Sequence, residues 1–180
     1  MIPTDPRTDL ELITAINRGE LGAFDALYHR HRDWVYRLAY RFTHHHDDAL
    51  DVLQETFAYV ARKFPGFTLT AGMTSFLYPV VKNTSITLLK RKRREVAFDP
   101  AAIPETAEAA IGPADDLFAV LAGLSDDHRE ILLLRFVDGF TLDEIATALQ
   151  IPIGTAKSRL HHAIAQLRED PRARKYFENL

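Results

Sequence analysis

The chain has 180 residues, 47% of them hydrophobic, which suffices for one ordinary core or two small ones and excludes a globally disordered chain. It has no cysteine, which excludes disulfides and thiolate zinc sites and fits a reducing cytosol. Its formal net charge is −3, whereas a DNA binder that works alone is usually basic. No apolar run approaches a membrane span, and Met1-Ile-Pro-Thr-Asp-Pro6 lacks the basic and apolar blocks of a signal peptide, so the expected setting is soluble and cytoplasmic.

Nearly everything periodic is helical, which predicts an all-α protein. Thr8 followed by Glu11 forms a capping box, and Gly19 can close that first helix. From Leu21 to Phe42, Phe24, Leu27, Trp34, Leu38 and Phe42 recur at helical spacing. A third helix follows His46, with Leu50, Leu53, Phe57 and Val60 on one stripe and Asp48, Asp51 and Glu55 on an opposed polar one. By itself such a polar stripe is usually a solvated face. Phe64-Pro-Gly-Phe67 then breaks the chain into a loop lasting to about Thr74. The next helix passes through Phe76, Leu77, Val80, Val81, Thr84 and Leu88 into Lys90-Arg-Lys-Arg-Arg94. Pro79 within it removes a backbone bond and costs about 3 kcal/mol in a helix interior, which predicts either a later helix start or a kink.

From Glu95 to Pro113 the composition shifts to Ala, Pro, Glu and Gly, and Pro100, Pro104, Gly112 and Pro113 disfavour a long helix. The stretch from Asp99 to Asp116 carries Asp99, Glu105, Glu108, Asp115 and Asp116 with no lysine or arginine, while residues 1–98 lean basic. The chain therefore reads as one helical domain over 1–95, an acidic flexible linker over 96–115 and a second helical domain over 116–180. Leu117, Phe118, Val120 and Leu121 begin the second helical set, followed by Ile131 to Phe136. Thr141-Leu-Asp-Glu144 is a second capping box, and Ile145, Ala146 and Leu149 are expected to face inward, the small Ala146 allowing close helix approach. Ile151-Pro152 ends that helix, and the next begins near Gly154 with Ala156, Leu160, Ala163 and Leu167 as its buried stripe. Lys157, Ser158, His161 and His162 are left on one exposed edge with Arg159 beside them, a set that donates to base edges or phosphates. Cap, small residue, Ile-Pro turn and basic helix in that order have the shape of a helix-turn-helix, against the plainer alternative of a solvated bundle helix.

Asp138-Gly-Phe-Thr-Leu-Asp-Glu-Ile-Ala146 followed by Ile151-Pro-Ile-Gly-Thr-Ala-Lys-Ser-Arg-Leu-His161 resembles the fourth region of extracytoplasmic-function sigma factors, the minimal bacterial sigma factors. Ala23-Phe-Asp-Ala-Leu-Tyr-His-Arg-His-Arg-Asp-Trp-Val-Tyr-Arg-Leu-Ala39 resembles the start of their second region, and Asp48-Ala-Leu-Asp-Val-Leu-Gln-Glu-Thr-Phe57 its polymerase-binding helix. The resemblance spans about residues 20–95 and 115–168. It implies two helical domains joined by a linker, no chemistry of the chain's own and no cofactor. Its implied partners are bacterial core RNA polymerase, promoter DNA and an anti-sigma factor that masks both modules.

Position by position, the resemblance assigns Asp48, Asp51, Gln54 and Glu55 to the core polymerase. It assigns the loop Phe64 to Thr74 to capture of a base flipped from the minus-ten element, with Phe67 and Phe76 suited to stacking. Lys82, Asn83, Lys90, Arg91, Arg93 and Arg94 would line the non-template strand. Lys157, Ser158, Arg159, His161 and His162 would read the minus-thirty-five element. Leu50, Phe76, Gln150 and His162 depart from the residues frequent in the family (glutamate, tryptophan, a turn glycine and arginine). A left-handed Gln150 would cost about 1 kcal/mol.

His44-His-His46 invites a metal reading, but adjacent histidines point in different directions and no suitably spaced partners complete a site. A polar loop ahead of the acidic helix is the reading adopted. Two further classes compete with an initiation factor: a sigma-like mimic that binds an inhibitor without initiating, and a metal-dependent hydrolase, for which no converging ligands are found. The tail Pro171 to Leu180, with Tyr176 and Phe177, could dock on either module or on a regulator.

Overall fold

The computed structural model describes residues 5–98, Leu121 and residues 123–170. The readings placed on 99–120, including Leu117, Phe118 and Val120, and on the tail with Tyr176 and Phe177 lie outside the described residues. The chain divides into two compact units, residues 1–108 and 109–180, and among the described residues every regular element is helical.

In the first unit, α1 (Asp9–Asn17) begins with the expected reciprocal cap. The Thr8 hydroxyl accepts from the Glu11 amide at 3.3 Å, and the Glu11 carboxylate accepts from the Thr8 amide at 2.7 Å. Gly19, at φ +89°, turns the chain into α2 (Leu21–Thr43). Leu12 and Ile13 bury the inner face of α1. Asp9 fastens its start to α2, holding Arg30 Nη1 at 2.7 Å and His31 Nε2 at 3.0 Å. His44 closes α2 in the left-handed conformation, and α3 (His46–Ala61) follows at once.

α2, α3 and α4 (Met73–Phe98) pack on one another. Their core contains Leu27, Val35 and Leu38 from α2, Val52, Phe57 and Val60 from α3, and Leu77 and Val81 from α4. Each such side chain contributes roughly 1.5–3 kcal/mol on burial. Ala23, Ala39 and Ala49, all fully buried, supply close-approach points. The inward stripe of α3 differs from the expected one, because Ala49 and Val52 are buried where Leu50 is only half-buried. α4 does not start late to avoid Pro79. It begins at Met73 and carries Pro79 in its interior, where the ring nitrogen has no hydrogen for the Ser75 carbonyl. It also runs through Phe98, three residues into the stretch read as linker, since no helix breaker occurs before Pro100.

In the second unit, α5 (Asp126–Leu132) is capped by Ser125, whose hydroxyl accepts from the His128 amide at 3.3 Å. Arg129 braces the preceding chain, donating to the Leu121 carbonyl at 2.9 Å and the Leu124 carbonyl at 3.0 Å. α5 continues into a π-helical turn, Leu133–Val137, where the Asp138 amide reaches back five residues to Leu133 at 3.0 Å. The wider turn keeps Leu134 in the core and leaves Phe136 (66%) and Val137 (63%) exposed, so the predicted apolar run to Phe136 is buried only as far as Leu134.

α6 (Leu142–Leu149) carries the second capping box: the Thr141 hydroxyl accepts from the Glu144 amide at 3.2 Å, and the Glu144 carboxylate accepts from the Thr141 amide at 2.8 Å. Ile145 and Ala148 are its buried residues, three apart on one face. Ala146, expected inside, is half-buried, and its carbonyl accepts the Ile151 amide at 3.0 Å across the turn. Gln150 is left-handed, at φ +55° and ψ +43°. α7 (Ile153–Glu169) then lays Ala156, Ala163 and Leu167 on the core, with Leu160 half-buried beside them.

Candidate polymerase and nucleic-acid surfaces

On α3 the four residues read as polymerase contacts do not share one environment. Asp51, Gln54 and Glu55 are exposed. Asp48 is buried, with a side chain 7% exposed, and its Oδ1 receives Lys92 Nζ from the far end of α4. His45 Nδ1 lies 3.8 Å from the same oxygen. Its side chain therefore joins α3 to α4 instead of presenting a carboxylate to a partner, as the sequence reading had it. The exposed three border a groove between α3 and α4 that also takes in Asn83 and Arg91. Two residues read as nucleic-acid contacts thus lie beside residues read as polymerase contacts.

The loop between α3 and α4 rests on an aromatic ladder. Phe24 meets Phe64 edge-on at 6.4 Å between ring centres, Phe64 meets Phe67 at 5.5 Å, and Phe67 meets Phe76 at 4.8 Å. Phe67 and Phe76 are half-buried, so both have one side in the ladder. Thr68 and Thr70 are exposed between them. The loop conformation is also held by Asn17 of α1, whose side chain bonds the backbone of Gly66 and Phe67. No pattern in the sequence pointed to Asn17, because its partners lie about fifty residues on.

α4 leads away from this loop. Lys82 is half-buried and Asn83 exposed, and Lys90, Arg91, Arg93 and Arg94 are exposed farther along. At 1.5 Å per residue, Phe76 to Arg94 spans roughly 27 Å, several nucleotides of extended strand. Arg91 also lies 3.6 Å from Glu95 one turn on.

In the second unit, Lys157, Ser158, His161 and His162 are exposed on α7, and the two histidine rings meet edge-on at 5.6 Å. Arg159 is half-buried, and its guanidinium is 3.0 Å from Asp127 at the start of α5. His128 and Gln166, 3.1 Å apart, add a second polar tie between the same helices. The geometry thus leaves four side chains of α7 open to a partner and uses the fifth to orient the helix. The outward face suits hydrogen bonding to groove edges and phosphates. Among the described residues, no group of three or more His, Cys, Asp or Glu side chains could hold a metal. His44 caps α2, while His46 opens α3 and lies 2.9 Å from the Tyr36 hydroxyl.

Comparison with known proteins accords with this geometry. The family model for sigma-70 region 2 matches residues 27–95 and that for sigma-70 region 4 matches residues 120–169, so the two together take in most of the chain. The extracytoplasmic-function sigma factor SigW of Bacillus subtilis is 24% identical over 177 residues, covering 89% of this chain and 95% of its own length. SigE of Mycolicibacterium smegmatis, of the same group, is 28% identical over 183 residues, covering 93% and 69%. The sigma-H factor of Pseudomonas aeruginosa is 29% identical over 172 residues, covering 86% and 89%. Among solved structures, the sigma factor RpoE of Bartonella quintana, crystallised with the anti-sigma factor NepR, matches with a TM-score of 0.56 at 25% identity, over 77% of this chain and 89% of that one. CnrH, solved with the cytosolic domain of CnrY, matches in fold with a TM-score of 0.64 at 22% identity, over 88% and 93%. The chain belongs to the sigma-70 family and, within it, to the extracytoplasmic-function group of RNA polymerase sigma factors.

Proposed function

We propose that this sigma factor brings bacterial core RNA polymerase to specific promoters and opens the DNA there, with the work divided among four surfaces. Asp51, Gln54 and Glu55 on α3 bind the core enzyme, and Asp48 supports them from inside. The loop 64–74 captures a base of the melted minus-ten element. Asn83 and the basic end of α4, through Lys90, Arg91, Arg93 and Arg94, track the non-template strand, with Lys82 at their margin. Lys157, Ser158, His161 and His162 on α7 read the minus-thirty-five element, while Arg159 orients that helix.

The observation that carries this division is the exposure pattern on α7. Ala156, Ala163 and Leu167 are turned inward, while Lys157, Ser158, His161 and His162 are left exposed behind a capped, tightly turned α6. The chain contributes promoter choice and strand opening, and the polymerase contributes the chemistry. An anti-sigma partner fits the same reading, since the solved relative from Bartonella quintana was crystallised with one. No helix among the described residues is long and apolar enough to cross a membrane. A cytoplasmic site of action follows from the polymerase as partner, and 1–95 and 116–180 serve as the two working domains.

Transcription of genomic fragments by purified core polymerase, with and without the protein, tests the proposal. New start sites sharing two upstream elements at fixed spacing are expected. No new starts with active core would overturn it in favour of the inhibitor-binding mimic.

A further inference from the structure

α1 precedes the residues matched by the region 2 family model, yet it reaches the loop that follows α3. Asn17, its last residue, makes three hydrogen bonds to that loop. Its Oδ1 accepts from the Gly66 amide at 2.6 Å and from the Phe67 amide at 3.2 Å, and its Nδ2 donates to the Phe67 carbonyl at 2.8 Å. A side-chain amide matches this site because it offers an acceptor and a donor at once. An aspartate would keep the acceptor and set a second oxygen against the Phe67 carbonyl. Gly66, at φ +100°, holds the conformation that turns both amides toward Asn17.

The other end of α1 is fixed. Asp9 binds Arg30 and His31 of α2, and Leu12 and Ile13 are buried between these contacts and Asn17. α1 is therefore a strut that runs from the body of the unit to the peptide groups flanking Phe67. Phe67 in turn rests on Phe64 and Phe76. With Phe67 held by its backbone and its ring, the exposed Thr68 and Thr70 follow directly from a fixed point.

We infer that Asn17 is a positioning residue for promoter melting, one that sets the register of the loop and so tunes which base the loop accepts. This role rests on the reading of residues 64–74 as the base-capturing loop. A loop in its competent shape for only part of the time binds with affinity reduced by that fraction. A loop free to shift also admits the wrong base, because specificity is a difference between two affinities.

The test uses the full-length protein with core polymerase. Templates vary one base at a time through the upstream element nearest the start, and opening is followed by 2-aminopurine fluorescence. Asn17→Ala, Asn17→Asp and the loop variants Thr68→Ala and Thr70→Ala are compared, with core affinity and Trp34-detected unfolding measured alongside. Asn17→Ala should lower opening of the preferred template about tenfold, the scale of one net hydrogen bond, and compress the preferred-to-other base ratio. Core affinity should stay within about twofold, as for substitutions away from a contact. Asn17→Asp should fall between, and it carries the test should the alanine variant not fold.

An equal loss on every template with an unchanged base ratio would overturn the inference, since that is what lost stability alone produces. If the threonine variants alter the ratio and neither Asn17 variant does, the loop reading stands and the role of Asn17 falls. If none of the variants alters the ratio, the loop reading fails and the inference with it.

Discussion

Lys92→Met removes the ammonium from Asp48 while keeping most of the aliphatic stem, and it separates support of the fold from contact with polymerase. The Asp48 side chain is 7% exposed, so its carboxylate would remain largely out of water without the lysine. A hydrogen bond to a charged group contributes about 1.5–3 kcal/mol. Lys92 is 45% exposed, and solvent screening places the pair near the lower end, so a loss of about 1–2 kcal/mol is expected. Asp48→Asn removes the charge but lets Lys92 turn to water, for a loss of about 1 kcal/mol. The double substitution should cost less than the two singles together, with a coupling of about 1 kcal/mol. Urea unfolding followed by fluorescence of Trp34, the single tryptophan, reads the first unit specifically. In conditions where every variant is folded, Asp48→Asn and Lys92→Met should keep their affinity for core polymerase. Asp51→Ala and Glu55→Ala should weaken it with unchanged unfolding. A coupling below about 0.3 kcal/mol would refute the structural role of the pair. So would an Asp48→Asn variant of full stability that binds polymerase as poorly as Asp51→Ala.

Gln150→Gly relieves a left-handed side-chain residue worth about 1–2 kcal/mol, offset by about 0.4–1 kcal/mol for the freer unfolded chain. The second unit should melt a few degrees higher by circular dichroism, and a lower melting temperature would show that Gln150 makes compensating contacts. At Asp9, burial pushes the carboxyl pKa up, but the His31 and Arg30 contacts outweigh it and the net shift is down from 3.8. A depressed folded pKa gives stability that is present above the unfolded value and lost as pH falls through the folded one. Amide exchange at Leu12 and Ile13 should therefore quicken as pH falls below about 4, after correction for intrinsic rates, and Asp9→Asn should flatten that dependence. The Ser85 hydroxyl is buried without a hydrogen-bond partner, so Ser85→Ala should be neutral or stabilising by up to about 1 kcal/mol in urea unfolding. A loss beyond that range would reveal a bond made in solution.

What could be read from sequence was what depends on neighbours within a helical turn. Both capping boxes are formed, because threonine and glutamate three apart meet whatever the rest of the chain does. The inward stripe of α7 belongs to the same class, whereas a left-handed Gln150 is suggested only by the turn glycine of the family it resembles. Asp48 could not be read this way, since spacing puts it on the polar stripe and only Lys92, forty-four residues later, explains its burial. Asn17 escaped for the same reason. Ala146 and Ala148 are equally small, and the choice between them depends on how α6 is rotated against α7. Of the two outcomes expected at Pro79, the later helix start does not occur, because the local penalty is offset by the packing of Leu77, Tyr78 and Val81 around it.

The inward turn of Lys92 alters how the basic run at the end of α4 should respond to ions. Five consecutive cations suggest a strand contact that would collapse in moderate salt. One of them, Lys92, is held by Asp48, leaving Lys90, Arg91, Arg93 and Arg94 to displace counterions, since Arg91 and Glu95 form only an exposed surface pair. At about 0.7 counterions per neutralised phosphate of a single strand, that predicts a logarithmic salt slope of about −2.8 for this contact, against about −3.5 for all five. Melted DNA held this way would be somewhat less sensitive to potassium than five cations imply, and more of the open complex would depend on the aromatic ladder.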